Sequence, residues 1–383
     1  MISNLSIKNF KSVVDVNLPL GRFNLLIGAN GCGKSNILEG IAMGAAASSD
    51  KLDYEYFANR GIRDVEPRFM LPAFEDMDSN AICISVLDQA NNPAIFDIRY
   101  NKELKPARWE NTIKYFTEVS GKVTGVDVSE FGELYLQLQE RLNSKFPLFR
   151  LSAKDNKLVM MSANTELEQF LIYSLEESKL RNADNSNRTY PLGRHGEGLF
   201  AYLKELSQKP ESINIFNEIK ENLKVLDWFD DMEIPYGQLS MEYNLKLKDS
   251  YLAETINTFD QRSTNEGFLF LLFYLTLVIS DETPHFFAIE NIDTAFNPKL
   301  CREVTRRLIE LARKHDKQII ATTHNAAVLD GMDLYEDDVR LHVVRRTIDG
   351  YTKTNRVILK DEMTMSLSEA WVKGFIGGLP DNF

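Results

Sequence analysis

The chain contains a glycine-rich loop directly after a short apolar run. Residues 28–35 read GANGCGKS, which fits the pattern GxxxxGKS, and residues 23–27 read FNLLI. The apolar run has the length and composition of a buried strand, and an apolar helical stretch follows Lys34. A strand, such a loop and a helix in this order predict a phosphate-binding site, because backbone N–H groups and the positive helix end converge on an anion. A chance glycine turn before a helix is the alternative.

Individual residues of this loop have predicted roles. We expect Lys34 to bind the β- and γ-phosphates of ATP and the hydroxyl of Ser35 to ligate Mg²⁺. The other loop residues that we expect to contact the nucleotide are Asn30, Gly31, Cys32, Gly33 and Asn36. The predicted cofactors are therefore ATP and Mg²⁺.

Length and cysteine content limit the class of protein. With 383 residues and 44% hydrophobic content, the chain can bury a large core, and its length predicts roughly two or three structural units. The cysteines, Cys32, Cys83 and Cys301, lie far apart and form no CxxC or CxxH pair, which argues against a disulfide framework or a zinc site. The N-terminus starts with a strand pattern and no long apolar signal region. We expect a cytoplasmic protein.

Apolar runs and net charge restrict the partners. The longest apolar run, Phe268–Ile279, is shorter than the roughly 20 residues of a membrane span, so we expect a buried helix and no membrane contact. The net charge of −12 argues against sequence-independent nucleic-acid binding by the whole molecule. A solvated helix face is the favoured interpretation of one basic stretch, with local nucleic-acid contact as the alternative: Arg302, Arg306, Arg307, Arg313, Lys314 and Lys317.

Buried strands alternate with helices along much of the chain. Continuous apolar strands are predicted at Phe23–Ile27, His285–Ile289 and Gln318–Thr322, and amphipathic or buried helices at Lys34–Ala47 and Pro298–Lys314. Alternating strands are predicted at Ile2–Ile7, Val13–Leu18, Ala81–Leu87, Ile95–Tyr100 and Leu239–Leu247, and a hairpin at Val339–Arg345 and Lys353–Leu359. This pattern predicts an α/β fold with a mostly parallel, doubly wound sheet and a side sheet.

The middle of the chain has helical periodicity and predicts an inserted helical unit. Helices are predicted at Ser129–Phe146, Asn164–Arg181, Glu197–Leu206 and Ile213–Trp228. The predicted organisation has two halves of one nucleotide-binding domain around this insert, followed by a helical tail. The first half covers residues 1–126, the insert 127–235, the second half 236–360 and the tail 361–383.

An acidic residue follows the strand that ends at Ile289. In phosphate-loop enzymes such a strand ends in an acid that holds the Mg²⁺ shell, so Glu290 is the Walker B candidate. An ordinary sheet edge can have the same pattern. The sequence that continues from this strand, ENIDTAFNPKL, and the later QIIATTHNAAVLD favour the functional interpretation.

Together these motifs resemble those of ABC-type ATPases of the SMC, RecF and OLD group. The likeness rests on IKNFKS, LLIGANGCGKSNILEGI, RSTNEG, FFAIENIDTAFNP and IIATTHNAAVLD, in this order. It covers the first 50 residues and roughly residues 239–359. The resemblance implies a P-loop NTPase with an ABC- or SMC-head-like sheet, a side β-sheet and an inserted helical subdomain.

The resemblance also implies a nucleotide sandwich between two copies joined head to tail. Residues 263–267 would be the signature segment, with Ser263, Glu266 and Gly267 at the γ-phosphate held by the second copy. Residues 293–297 would be the D-loop, with Asp293 at the same interface, and His324 the switch histidine. STNEG as a simple helix cap, and His324 as a capping or core histidine, are the alternatives.

One position departs from the family pattern. The catalytic residues implied by the resemblance are Glu290, the residue after it and His324, but the residue after Glu290 is Asn291 where the family usually has glutamate. An amide can orient water but cannot accept its proton, so we expect hydrolysis to be slower by on the order of 100-fold or more. ATP would then act mainly as a clamp between subunits.

Within this group the chain is similar to the PtuA-type ATPases of Septu and retron-linked antiphage systems. The segments that carry this likeness are ENID, NPKLCRE, THNAAVLD and GRHGEGLFAYLKEL. The likeness implies that the protein regulates a separate nuclease effector. The chain itself has no HNH-like or Toprim-like pattern. The alternatives are a RecF-like repair ATPase that acts directly on DNA, and an assembly protein with structural nucleotide.

Overall fold

The computed structural model describes most of the chain and divides it into two compact units. The described residues are 1–63, 65–75, 79–89, 93–104, 107–119, 122–126, 149–154, 157–162, 165–181, 191–235, 245–255, 258–359 and 364–379. The first unit comprises Met1–Gly21, Gly28–Phe170 and His342–Arg356. The second comprises Arg22–Ile27, Leu171–Leu341 and Val357–Phe383.

The strands and helices are numbered in chain order. The strands are β1 Ile2–Phe10, β2 Val13–Pro19, β3 Phe23–Ile27, β4 Ala81–Asp88, β5 Pro93–Asn101, β6 Arg108–Val119, β7 Lys122–Val126, β8 Phe149–Lys154, β9 Lys157–Ser162, β10 Ile172–Tyr173, β11 Phe229–Glu233, β12 Lys246–Asp249, β13 Thr258–Asp260, β14 Phe286–Ile289, β15 Gln318–Thr322, β16 Val339–Arg346 and β17 Thr352–Val357. The helices are α1 Lys34–Ser48, α2 Tyr54–Arg60, α3 Thr165–Glu168, α4 Glu177–Arg181, α5 Leu199–Gln208, α6 Ile213–Leu223, α7 Glu266–Ile279, α8 Pro298–Lys314 and α9 Leu367–Val372. Short 3₁₀ helices span Pro67–Phe69 and Ala326–Gly331.

The first unit contains an antiparallel sheet with the strand order β2-β1-β4-β5-β6-β7. In β4 the side chains of Ile82, Ile84 and Val86 are buried, and the residues between them are partly exposed. This alternation places one face on the core, because successive side chains of a strand point to opposite faces. The predicted side sheet is confirmed, and its strands β4 and β5 match the predictions within a few residues.

The second unit contains a parallel sheet. Its strands follow the order β10-β14-β15-β3, and β14 pairs with β15 in parallel register, with Ala288 opposite Ile320. Every residue of β3, β14 and β15 is buried, as expected for a parallel sheet with both faces covered. In α7 all residues from Phe268 to Ile279 are buried. Each large apolar side chain there stabilises the fold by roughly 1.5–3 kcal/mol.

The region predicted as a helical insert contains strands as well as helices. The helices predicted at Glu197–Leu206 and Ile213–Trp228 are confirmed as α5 and α6, with shifted ends. The strands β8 and β9 form a hairpin within this region. The predicted helix at Ser129–Phe146 and most of the predicted strand Leu239–Leu247 lie outside the described residues. The boundaries 127–235 stay a prediction.

The prediction of a single helix over residues 164–181 is wrong. This segment contains the short helices α3 and α4, and between them the strand β10. Ile172 pairs with Ala288 and Tyr173 with Ile289 in parallel register. Ile172 and Tyr173 form a strand at the edge of the parallel sheet. This non-local pairing overrides the helical period of the local sequence.

Across the described ranges, none of the helices combines the length and the apolar character that crossing a bilayer requires.

Candidate functional site

The phosphate loop bends through glycines that no other residue can replace without strain. Gly28 has φ of 151° and Gly33 has φ of 110°. A Cβ added to Gly28 would lie 2.1 Å from the carbonyl oxygen of Val344, and one added to Gly33 would lie 2.0 Å from Thr352 Oγ1. The loop conformation therefore requires glycine at both positions because of the backbone angle and the close neighbours.

Lys34 lies inside the curve of this loop. Its side chain is 7% exposed, and its Nζ donates hydrogen bonds to the carbonyl oxygens of Gly28 at 2.7 Å and Ala29 at 3.2 Å. The helix α1 starts after Gly33 with no side-chain cap and no acidic residue in its first turn. Because the first N–H groups of a helix need acceptors, this end of α1 fits an anion such as a triphosphate.

Cys32 and Asn36 belong to a polar network around the loop. Asn36 Nδ2 donates to Ser12 Oγ at 2.7 Å, the hydroxyls of Ser12 and Thr352 lie 2.7 Å apart, and Thr352 Oγ1 donates to the carbonyl oxygen of Cys32 at 3.0 Å. Burial raises the pKa of the Cys32 thiol, so this side chain is neutral and packs as a small apolar group. The network fixes the backbone on both sides of Lys34.

A buried carboxylate that sequence reasoning missed lies one turn along α1. Glu39 is 2% exposed and forms ion pairs with Lys11 and Arg63. Arg63 Nη2 also donates to Asn36 Oδ1 at 2.8 Å, which joins this cluster to the loop network. Burial lowers the pKa of Lys11, and the charge of Glu39 opposes this effect. The sequence signal that could have identified Glu39 is a charged residue on the apolar side of α1.

In the second unit, the end of β14 is tied to its neighbours on both sides. The backbone N–H of Glu290 donates to the carbonyl oxygen of Tyr173 at 2.8 Å. The N–H of Asn291 donates to Thr322 Oγ1 at 2.9 Å. Asn291 has φ of 53°, a left-handed conformation that asparagine tolerates better than most residues. The two polar side chains that follow the strand therefore have a fixed backbone.

The structure brings Asp293 together with the segment that carries His324. Thr323 Oγ1 donates to Asp293 Oδ1 at 2.6 Å, and the N–H of Asn325 donates to Thr323 Oγ1 at 3.0 Å. His324 lies between these two residues and is exposed. Asp293 is thus joined by a hydrogen bond to Thr323, the residue that directly precedes His324.

The predicted signature segment precedes the buried helix α7. Asn265 caps this helix, since its Oδ1 accepts a hydrogen bond of 2.8 Å from the N–H of Phe268. Ser263 is exposed and does not act as the cap. A Cβ on Gly267 would lie 2.9 Å from the carbonyl oxygen of Ala295. Glycine therefore permits close packing between the signature segment and the D-loop segment.

A cavity of about 360 Å³ lies beside this contact in the second unit. Its lining includes the capping residues of two helices, Asn265 of α7 and Asn297 of α8, together with Gly267 and Ala295. Trp228 and Lys299 also line it. The predicted residues Ser263, Glu266, Gly267 and Asp293 thus lie on segments that meet around one region. The predicted residues Asn30 to Asn36 belong to the first unit.

Comparison with known proteins identifies the family. A family model described as AAA ATPase domain matches residues 1–329. No curated protein matches the chain. Solved structures provide further matches at 13–14% sequence identity. Of these, the match with a TM-score of 0.54 shows similarity of fold alone.

Three of the structural matches are SMC head domains. One is an SmcHead bound to the C-winged helix domain of ScpA, with 14% identity, a TM-score of 0.54, and coverage of 94% of this chain and 99% of that chain. The SMC head domain from Thermotoga maritima has 13% identity, a TM-score of 0.48 and coverage of 94% and 99%. The Smc head domain from Pyrococcus furiosus has 14% identity, a TM-score of 0.47, and coverage of 97% of this chain and 98% of that chain. The fold is SMC-head-like, and because the family model covers residues 1–329, the chain belongs to the AAA ATPase domain family.

Proposed function

We propose that this ATPase binds ATP with Mg²⁺ in its phosphate loop and that two copies enclose two nucleotides head to tail. Lys34 binds the β- and γ-phosphates, with Asn30, Gly31 and Gly33 around them. As the resemblance implies, the Ser35 hydroxyl and Glu290 would hold Mg²⁺, which would neutralise charge on the phosphates. The N-terminus of α1, which has no side-chain cap, and the buried ammonium of Lys34 support this proposal.

The observation that carries the dimer proposal is the packing of Gly267 against the carbonyl oxygen of Ala295. This contact and the bond between Thr323 and Asp293 join the signature, D-loop and switch segments within the second unit. Segments that are fixed to one another can present Ser263 and Asp293 together to a nucleotide held by a second copy. Such preorganised groups stabilise charge more effectively than mobile ones.

Hydrolysis by this ATPase is slow, because Asn291 stands where the general base would act. The amide of Asn291 orients water, and His324 contacts the γ-phosphate. With turnover rare, bound ATP holds the two copies together. The dimer thus persists until hydrolysis resets it.

We infer that the dimer regulates or scaffolds a separate effector, a nuclease in prokaryotic antiphage defence, as the likeness to PtuA-type ATPases implies. One SmcHead structure is a complex with part of another protein, ScpA, which supports a protein partner in general terms. The cytoplasm is the proposed location. Higher oligomers are compatible with this role.

The described basic side chains favour this function over direct action on DNA by a RecF-like ATPase. Arg306 forms ion pairs with Glu303 and Glu310, each at 2.9 Å. Arg313 pairs with Asp338 at 2.7 Å, and Lys314 with Glu218 at 2.8 Å. Cations that are already paired gain less from phosphate contact. Strong DNA binding with a steep salt dependence would instead support the RecF-like alternative.

The variant Lys34→Ala tests the nucleotide site. We expect it to abolish ATP binding, measured with a fluorescent ATP analogue, and with it ATP-dependent dimerisation, measured by sedimentation velocity. Arg306→Ala is the matched control, since it removes an exposed cation from α8 and should bind ATP normally. Unchanged ATP affinity in Lys34→Ala would contradict the proposed site.

A further inference from the structure

A short segment of the second unit connects the end of β14 to the signature segment. It starts at β10, where Tyr173 pairs with Ile289 and the carbonyl oxygen of Tyr173 accepts the N–H of Glu290 at 2.8 Å. It ends with α4, whose last residue is Arg181. The same segment therefore contacts the backbone of the predicted Mg²⁺ ligand at one end and continues to Arg181 at the other.

Arg181 binds the backbone of the signature segment. Its Nη1 donates to the carbonyl oxygens of Arg262 at 3.0 Å and Thr264 at 2.9 Å, and the carbonyl oxygen of Gln261 lies at 3.4 Å. These acceptors flank Ser263. The carboxylate of Glu177 accepts from Nε and Nη2 of the same guanidinium, at 2.7 Å each, and holds it in place. Hydrogen bonds from a charged donor are about twice as strong as neutral ones.

The position of α4 is fixed by buried packing and by backbone bonds. Leu180 is fully buried, and a Cβ on Gly196, which has φ of 108°, would lie 2.5 Å from Leu180 Cδ2. The N–H of Ser174 donates to the carbonyl oxygen of Arg194 at 2.9 Å. The N–H of Glu176 donates to the carbonyl oxygen of His195 at 3.0 Å. Arg181 therefore extends from an anchored element, as a positioning group requires.

Asp260 supplies the complementary contacts on the other side of the loop. Its Oδ1 accepts the N–H of Arg262 at 3.0 Å, the N–H of Ser263 at 3.2 Å and the hydroxyl of Ser263 at 3.2 Å. Asp260 thus satisfies N–H groups of the loop, while Arg181 satisfies its carbonyl oxygens. Without Arg181, the loop keeps its contacts to Asp260 but loses the charged donor that fixes its carbonyl side.

We propose that Arg181 is a positioning residue that holds the signature segment in the conformation that binds the partner's nucleotide. The segment from Ile172 to Arg181 then couples the backbone of Glu290 to the signature segment within one copy. This inference rests on the proposed function, because it assigns a role within the proposed dimer. It predicts that a change at Arg181 weakens dimerisation without weakening ATP binding to a single copy.

The test compares full-length Arg181→Ala and Arg181→Lys with the unmodified protein. Sedimentation velocity with a non-hydrolysable ATP analogue and Mg²⁺ gives the midpoint of dimerisation, and a fluorescent ATP analogue gives the affinity of the monomer. We expect the midpoint for Arg181→Ala to rise by about 10-fold or more, because hydrogen bonds from a charged donor are lost. We expect the ATP affinity of the monomer to be unchanged. The dimerisation midpoint of Arg181→Lys should lie between those of the unmodified protein and Arg181→Ala, because an ammonium cannot reproduce the planar guanidinium.

Rescue distinguishes positioning from a general loss of structure. Added guanidinium chloride, below concentrations that denature the protein, should restore dimerisation of Arg181→Ala, whereas sodium chloride at equal ionic strength should not. If Arg181→Ala proves too unstable to assay, Arg181→Lys carries the same comparison. Arg306→Ala, which removes an exposed arginine of the same unit, should match the unmodified protein.

The variant Ser263→Glu separates failure of this inference from failure of the proposed function. Its negative charge should repel the partner's γ-phosphate and prevent dimerisation, while the neutral Ser263→Gln should disturb dimerisation less. If Ser263→Glu prevents dimerisation and both Arg181 variants dimerise normally, the role of Arg181 is wrong and the proposed function stands. If Ser263→Glu also dimerises normally, the proposed function is wrong, and the inference with it.

Discussion

The hydroxyl of Thr323 donates a hydrogen bond of 2.6 Å to the carboxylate of Asp293. Asp293 lies in the predicted D-loop, and Thr323 directly precedes the predicted switch residue His324. The same hydroxyl oxygen accepts the N–H of Asn325 at 3.0 Å. One side chain therefore fixes both the D-loop carboxylate and the backbone that follows His324.

Replacing this hydroxyl tests whether the bond matters for turnover. We expect Thr323→Val to lower the rate of ATP hydrolysis by roughly 10-fold or more, because a hydrogen bond to a charged group contributes about 1.5–3 kcal/mol. ATP affinity of the monomer should not change. Thr276→Val is the matched control, since Thr276 is also buried and its hydroxyl donates only within α7, to Leu272. Equal turnover in the two variants would contradict this role for Thr323.

A carboxylate at position 291 should accelerate hydrolysis. We expect Asn291→Glu to raise turnover on the order of 100-fold, because it supplies the missing general base. Since Asn291 has φ of 53°, the same variant should lose about 1 kcal/mol of unfolding free energy.

Asn291→Asp is the control for the backbone, because aspartate tolerates this conformation. We expect it to keep the stability of the unmodified protein and to gain less activity, since its carboxylate reaches less far. Steady-state ATPase assays and urea unfolding measure both effects. No gain in turnover for either variant would show that position 291 does not face the attacking water.

The buried carboxylate of Glu39 should stabilise the first unit. Glu39→Gln leaves the charge of Lys11, which is 11% exposed, without its partner. We expect a loss of roughly 3 kcal/mol in the free energy of unfolding, because breaking a buried ion pair leaves an uncompensated charge. Urea unfolding measures the loss. Glu303→Gln, on the surface of α8, should change stability by less than about 0.5 kcal/mol, and equal effects of both variants would argue against the cluster.

Lys317 should make stability depend on pH. It is fully buried, its Nζ donates to the carbonyl oxygen and hydroxyl of Thr283 at 2.9 Å each, and burial lowers its pKa to about 8. The unfolded chain, with an ordinary lysine pKa of 10.5, binds more protons between these two values. The contribution of Lys317 to stability should therefore rise as the pH increases from about 8 to about 10.5.

Urea unfolding across this pH range measures the rise. Lys317→Met should remove this contribution and flatten the profile, because no buried amine remains to titrate. Lys246→Met, which removes an exposed lysine, should leave the profile unchanged. If Lys317→Met and the unmodified protein show the same profile between these pH values, the ammonium of Lys317 does not control it.

Local sequence patterns predicted much of the fold. The continuous apolar run Phe23–Ile27 is a buried parallel strand, and the amphipathic period predicted the bounds of α8 at Pro298 and Lys314. The period failed at 164–181, because Ile172 and Tyr173 join the edge of the parallel sheet. Pairing with a strand more than 100 residues away leaves no local signal.

The charged residues that support the candidate site were not predictable in the same way. Arg181 lies in a charged helix and Glu39 in an apolar one, and neither belongs to a motif. Their roles depend on partners far along the chain, such as the carbonyl oxygen of Thr264 for Arg181 and the ammonium of Lys11 for Glu39. The motif residues Lys34 and Asn291 were found because their spacing from glycines and from a strand end is local.

The most direct test of the central claim is a crystal structure of the protein with a non-hydrolysable ATP analogue and Mg²⁺. We predict two copies related head to tail, with each analogue in contact with Lys34 of one copy and Ser263 of the other. Analogue bound away from Lys34, or copies joined through a surface that leaves Ser263 far from the γ-phosphate, would contradict the account.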